Sequence, residues 1–147
     1  MKIAATISMA SRLIREAWVR KPLTLGAKGE AAAAKFLRKK GYILIGTNVR
    51  TSMGEIDLVA VDGRTVVFVE VKTRESDDKG HPAEAVDQRK QDKLTRLGIA
   101  YLRRNNLLEN AARFDIVAVT WPNGAKKPLI EHFENAFEPS IPFQMFV

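Results

Sequence analysis

Two apolar, β-branched runs, Ile56 to Val61 and Val66 to Val71, flank Asp62-Gly63, a dipeptide that supplies the positive φ angles of a type I′ turn. A tight antiparallel hairpin is therefore predicted over Gly54–Arg74. With Asp62 and Gly63 as turn residues, Val61 faces Arg64, Asp57 faces Phe68 and Glu55 faces Glu70. Alternation with period two sends Asp57, Glu70 and Lys72 to one face, with Asp57 diagonal to Glu70 at about 7–8 Å. Val67, Val69 and Val71 fill the other face while Val66 and Phe68 stand beside the charges, so the second strand is expected to be buried on both sides.

Helical spacing dominates elsewhere. Ile3, Ile7, Ala10, Ile14 and Trp18 mark an amphipathic helix within residues 1–25, ended by Pro22, with Arg12, Arg15 and Arg20 off the stripe. Its candidate partners are the body of the protein, a second copy in a homodimer, or nucleic acid. Gly26–Lys40 predicts a second helix with Ala33, Ala34 and Leu37 inward and Gly41 at its end. Tyr42–Asn48 reads as a strand, followed by a loop over 49–53. The polar stretch Glu75–Pro82 reads as a loop beyond the hairpin, with His81 exposed in it. Pro82–Arg104 predicts a long helix buried along Val86, Leu94, Leu97 and Tyr101, with Lys90 on the same stripe. Arg113–Trp121 and Leu129–Phe133 read as further strands, and Pro139–Val147 as a packed or partner-binding tail. The expected architecture is α/β: a mixed sheet of four or five strands flanked by two helices over residues 26–147, with an extra N-terminal helix over 1–25.

A chain of 147 residues can bury a core without disulfide or metal staples. It contains no cysteine, which excludes a thiol nucleophile and a cysteine-ligated zinc and fits a reducing, cytoplasmic setting. No apolar run approaches the roughly 20 residues of a membrane span, so no membrane role is expected. Against 17 acidic residues stand 24 Lys and Arg, a net charge of +7 that suits a polyanionic partner.

That charge gives weight to the acids of the hairpin. Two carboxylates and a lysine converging near a sheet edge are costly unless compensated, and a divalent cation compensates them. Oxygen donors favour Mg2+ or Mn2+, with waters and substrate phosphate completing the shell. Lys72 would then hold the attacking water or balance charge in phosphodiester hydrolysis. The plain alternative for Glu70-Val71-Lys72 is a solvated salt bridge. Glu30, on the inward face of its helix, is either a stabilising charge at a helix N-terminus or a member of the site. Asp115 is read as structural.

Gly54-Glu55-Ile56-Asp57-Leu58-Val59-Ala60, Asp62-Gly63 and Val67 to Arg74, together with Gly29-Glu30, Gly41-Tyr42, Asn48-Val49-Arg50 and Arg113-Phe114-Asp115, resemble the YraN-like bacterial family. That family is classed with PD-(D/E)xK nucleases of restriction-endonuclease-like fold. The likeness runs from about Gly26 to about Phe137, and Ile56 stands where many of those nucleases have proline. The resemblance implies a metal-dependent DNA nuclease, with branched or repair-related DNA among its substrates. It implies Asp57, Glu70 and Glu30 as metal ligands, the Val71 carbonyl completing the shell, Lys72 as catalytic partner, and Arg50, Arg74 and Lys90 toward nucleic acid. The competing readings are a nucleic-acid-binding protein of the same fold without catalysis, and an interaction module built on the N-terminal helix.

Overall fold

The computed structural model describes residues 3, 4, 7, 24–75, 86–122 and 124–141. Helix α1 (Leu25–Lys39) precedes the hairpin strands β1 (Ile43–Thr51), β2 (Gly54–Asp62) and β3 (Thr65–Arg74); α2 (Gln88–Arg104), β4 (Ala112–Thr120) and β5 (Leu129–Phe137) follow. The strands form one sheet in the order β1-β2-β3-β4-β5. Its neighbours are antiparallel except β3 and β4. That pair is parallel because α2 crosses over between them, which a two-residue turn cannot do.

Each helix covers one face. Ala33, Ala34 and Leu37 of α1 pack with Leu58, Ala60, Val67, Val69, Val117 and Val119. Leu94, Leu97 and Leu102 of α2 pack on the other face with Val59, Val61, Val66, Phe68, Phe114 and Ile116. β3 is thus buried on both sides, and the mixed sheet between helices is the α/β architecture expected of a restriction-endonuclease-like domain. No helix among the described residues is long and apolar enough to cross a membrane.

Several boundaries differ from expectation, each for a local reason. The hairpin turn is Gly63-Arg64, with Asp62 paired to Thr65 and Val61 to Val66. Gly63 has φ of 61°, and Arg64 is not among the described non-glycine residues with positive φ. The turn therefore lacks the two positive φ angles of type I′. Asp62 is drawn into the strand because its Oδ2 accepts a hydrogen bond from Arg113 Nη1 at 3.1 Å. The register moves by two residues, which preserves the facing of every side chain. β1 runs through the expected loop to Thr51, because Val49 and Arg50 pair with Ile56 and Glu55. α2 starts at Gln88 rather than near Pro82: Asp87 is extended and its Oδ1 accepts the Lys90 N–H at 2.9 Å, a side-chain cap that sets the first turn. β5 extends past Phe133 to Phe137, where it pairs with Phe114.

Of the proposed N-terminal helix, Ile3 and Ile7 pack against the α2-side core. The rest of its stripe, His81 with its loop, Pro82 and residues 142–147 lie outside the described residues.

Candidate metal centre where the hairpin parts

β2 and β3 pair regularly only as far as Leu58 opposite Val69. One residue earlier the ladder is replaced by a side chain: Asp57 Oδ2 accepts the Val71 N–H at 2.8 Å. The alternation of β2 also slips here. Val59 and Val61 belong to the α2-side core and Leu58 and Ala60 to the α1-side core, yet Ile56 packs with the former. Across from Asp57, β1 passes through Asn48 at φ of 46°. A carboxylate in such an irregularity is aimed along the gap between strands instead of squarely out of the sheet.

α1 delivers the second acid. Gly29 lies so close to Thr73 of β3 that an added Cβ would fall on the threonine side chain. This approach brings Glu30, the next residue, to the parted end of the hairpin. The helix begins at Leu25 and has no acid in its first turn, so Glu30 is not a charge at the helix N-terminus. We expect Gly29→Ala to destabilise the fold by about 1–3 kcal/mol, through the overpacking of a closed contact, as read by urea unfolding. An unchanged midpoint would show that the contact yields freely.

Glu30, Asp57 and a residue absent from the sequence-based site, Glu55, bring one carboxylate oxygen each to within 4.8 Å of one another. The Glu55-x-Asp57 spacing on one strand was the available signal for it. Burial, then the charge of Glu70, pushes the Asp57 carboxyl up to about 7, against the Val71 hydrogen bond. Glu30 adds to the rise and Lys90 opposes it.

Glu70 is buried, its charge acts on Asp57, and it is the hub of two ammonium groups: Lys72 Nζ at 3.5 Å and Lys90 Nζ at 3.2 Å share its Oε1. Lys90 therefore reaches the site from α2, engaged with an acid. Arg50, expected at phosphate, holds Glu55 through Nε at 3.0 Å. Arg74 is half-buried at the far end of β3. Val71 contributes its N–H. A cleft of about 520 Å³ opens over the site, lined by Arg50, Glu55, Asp57, Lys90, Lys93 and Leu97 among others.

Asp115, set aside as structural, faces the α1 side and is buried at the centre of a polar network. Arg113 Nε donates to it at 3.0 Å, the Asn135 N–H at 2.9 Å, and His132 Nε2 lies at 2.8 Å. Burial alone would raise this carboxyl, but these hydrogen bonds outweigh it and hold Asp115 below the ordinary carboxylate range.

The molecule is thus an α/β domain with an acidic cluster and two lysines at one end of a mixed sheet. The chain belongs to the uncharacterised protein family UPF0102, whose model matches residues 29–119, a span holding the whole cluster and the Asp115 network's Arg113. A UPF0102 protein of Rhodopirellula baltica is 47% identical over 116 residues, covering 77% of this chain and 70% of its own. One from Geobacter metallireducens is 43% identical, covering 78% and 93%, and one from Geobacter sulfurreducens is 45% identical, covering 78% and 88%.

Proposed function

We propose that this protein is a divalent-cation-dependent nuclease that hydrolyses DNA phosphodiester bonds, with branched and repair-related DNA as the first substrates to try. One observation carries the reading: carboxylate oxygens from α1 and β2 lie within 4.8 Å of one another beside the Glu70-Lys72 pair. The donor set suits Mg2+ or Mn2+, being all oxygen, and a bound cation would offset the burial and the neighbouring Glu70 charge that raise the Asp57 carboxyl. Glu30, Glu55 and Asp57 would hold the ion, with Glu70 and the Val71 carbonyl to complete the protein's share. When bound, the ion polarises the phosphodiester and acidifies a water.

The chain's own groups do the rest. The Val71 N–H fixes the Asp57 carboxylate, Glu70 fixes the Lys72 ammonium, and that ammonium orients the attacking water and offsets charge gained in the transition state. The pairing of Glu70 with two lysines also favours the second reading, a nucleic-acid-binding protein whose carboxylates are a structural network.

Titration with Mn2+ separates the two. Wild-type protein binds the ion, Asp57→Ala does not, and Lys72→Ala does; no binding in the wild type leaves the structural network. Because Asp57 must lose its proton, apparent affinity rises about tenfold per pH unit up to about 7 and then levels. Without metal the sign for stability is opposite. The folded state favours protonated Asp57, so its contribution is complete below the unfolded carboxyl value, 3.8, and is lost as pH rises through about 7. Asp57→Asn removes that slope in urea unfolding; a slope unchanged in the variant places the titrating group elsewhere.

A further inference from the structure

The cations nearest the carboxylates are already committed: Lys72 and Lys90 to Glu70, and Arg50 to Glu55. On the neighbouring face of α2 the situation changes. Arg89, Lys93 and Arg96, at i, i+4 and i+7, present one exposed face of the helix, and no ion pair engages them among the described residues. The neighbouring acid, Asp92, takes a hydrogen bond from Gln88 Nε2 at 2.9 Å. These cations line a second cleft, of about 430 Å³, together with Met53 from the β1–β2 turn.

Lys93 lines both clefts. Its position depends on a glycine: the Lys93 stem crosses Gly54 where a Cβ would overlap it, and Gly54 has φ of 143°, a backbone that side chains rarely adopt. The two clefts thus share Lys93: the first is acidic at Asp57 and Glu55, and the second is lined by Lys93, Arg89 and Arg96 with the single acid Asp92. Met53, about half exposed, is the apolar side chain lining the second cleft.

We infer that Lys93, Arg89 and Arg96 form a phosphate-binding subsite that holds the DNA backbone one step beyond the bond at the acidic cluster. The inference rests on the nuclease reading for the location of that bond. Cations without acid partners gain more from a phosphate than paired ones, which must first give up a carboxylate. Contacts from these ammonium and guanidinium groups to phosphate oxygens carry no sequence information, so the subsite takes the backbone; a guanine preference would instead mark Arg89 or Arg96 at base edges. Met53 packs against sugar or base.

The test measures DNA binding by anisotropy in chelator, where cleavage plays no part, for wild type, Lys93→Ala, Arg89→Ala/Arg96→Ala and Lys39→Ala, an exposed charge on α1. At low salt Lys93→Ala should weaken binding about 5–10-fold and lower the salt slope by about 0.7–0.9, the signature of one lost phosphate contact. The double variant should lose more, and Lys39→Ala less than twofold. Equal losses for Lys93→Ala and Lys39→Ala, or no binding by wild type, overturn the subsite. Binding that depends on Lys93 in a protein that cuts no DNA upholds the subsite as a docking site and rejects the nuclease. Cleavage with affinity indifferent to Lys93 does the reverse.

Discussion

Lys72→Ala is expected to retain most of the DNA affinity proposed for the wild type and to cut at least about 100-fold more slowly. The size follows from the work assigned to the ammonium, orienting water and balancing charge that develops only in the transition state, since interactions confined to the transition state change rate and not affinity. The fold survives the substitution because Glu70, though buried, keeps Lys90 at 3.2 Å. Single-turnover cleavage compared with binding in chelator reads both numbers. A variant that cuts as fast as wild type removes Lys72 from the chemistry.

Asp115→Ala is expected to cost about 3–5 kcal/mol, the largest single effect on stability, because it strands a guanidinium and an imidazole that share its oxygens. Arg113 is tied further to Asp62 at 3.1 Å and to the Tyr42 hydroxyl at 2.7 Å, so the loss reaches β1, β2, β4 and β5 together. Its pH dependence is fixed by the depressed carboxyl: the contribution is whole above the ordinary carboxylate range and falls away as pH drops through the folded value. Urea unfolding at pH 7 checks it. A loss under about 1 kcal/mol would mean that Arg113 and His132 find other partners or water.

Alternation was enough to put Asp57, Glu70 and Lys72 at one end of the central hairpin, because a register error of two residues preserves parity, but it gave no warning of the slip at Asp57, where Ile56 packs on the α2 side. It could not place the turn, since what moves Asp62 into the strand is Arg113, 51 residues away. Glu55 escaped notice for a related reason: its membership in the cluster depends on the irregularity at Asp57 and on α1 approaching over Gly29, neither of which has a local signature. Glu30 was legible as an inward acid, and the resemblance assigned it to the site; its closeness to Asp57 and Glu55 could be read only from the packing of α1. Asp115 gave no direction at all, because its partners Asn135 and His132 come from β5, a strand whose facing depends on its own irregular register with β4.

Catalysis at the Glu30–Glu55–Asp57 cluster can be assayed by offering purified protein duplex, single-stranded, flap and branched DNA with Mg2+, Mn2+ or chelator, beside Asp57→Ala. Cleavage of at least one substrate is expected with metal, none with chelator, and none by Asp57→Ala. Failure of the wild type to cut any of them with either metal, or undiminished cutting by Asp57→Ala, would contradict it.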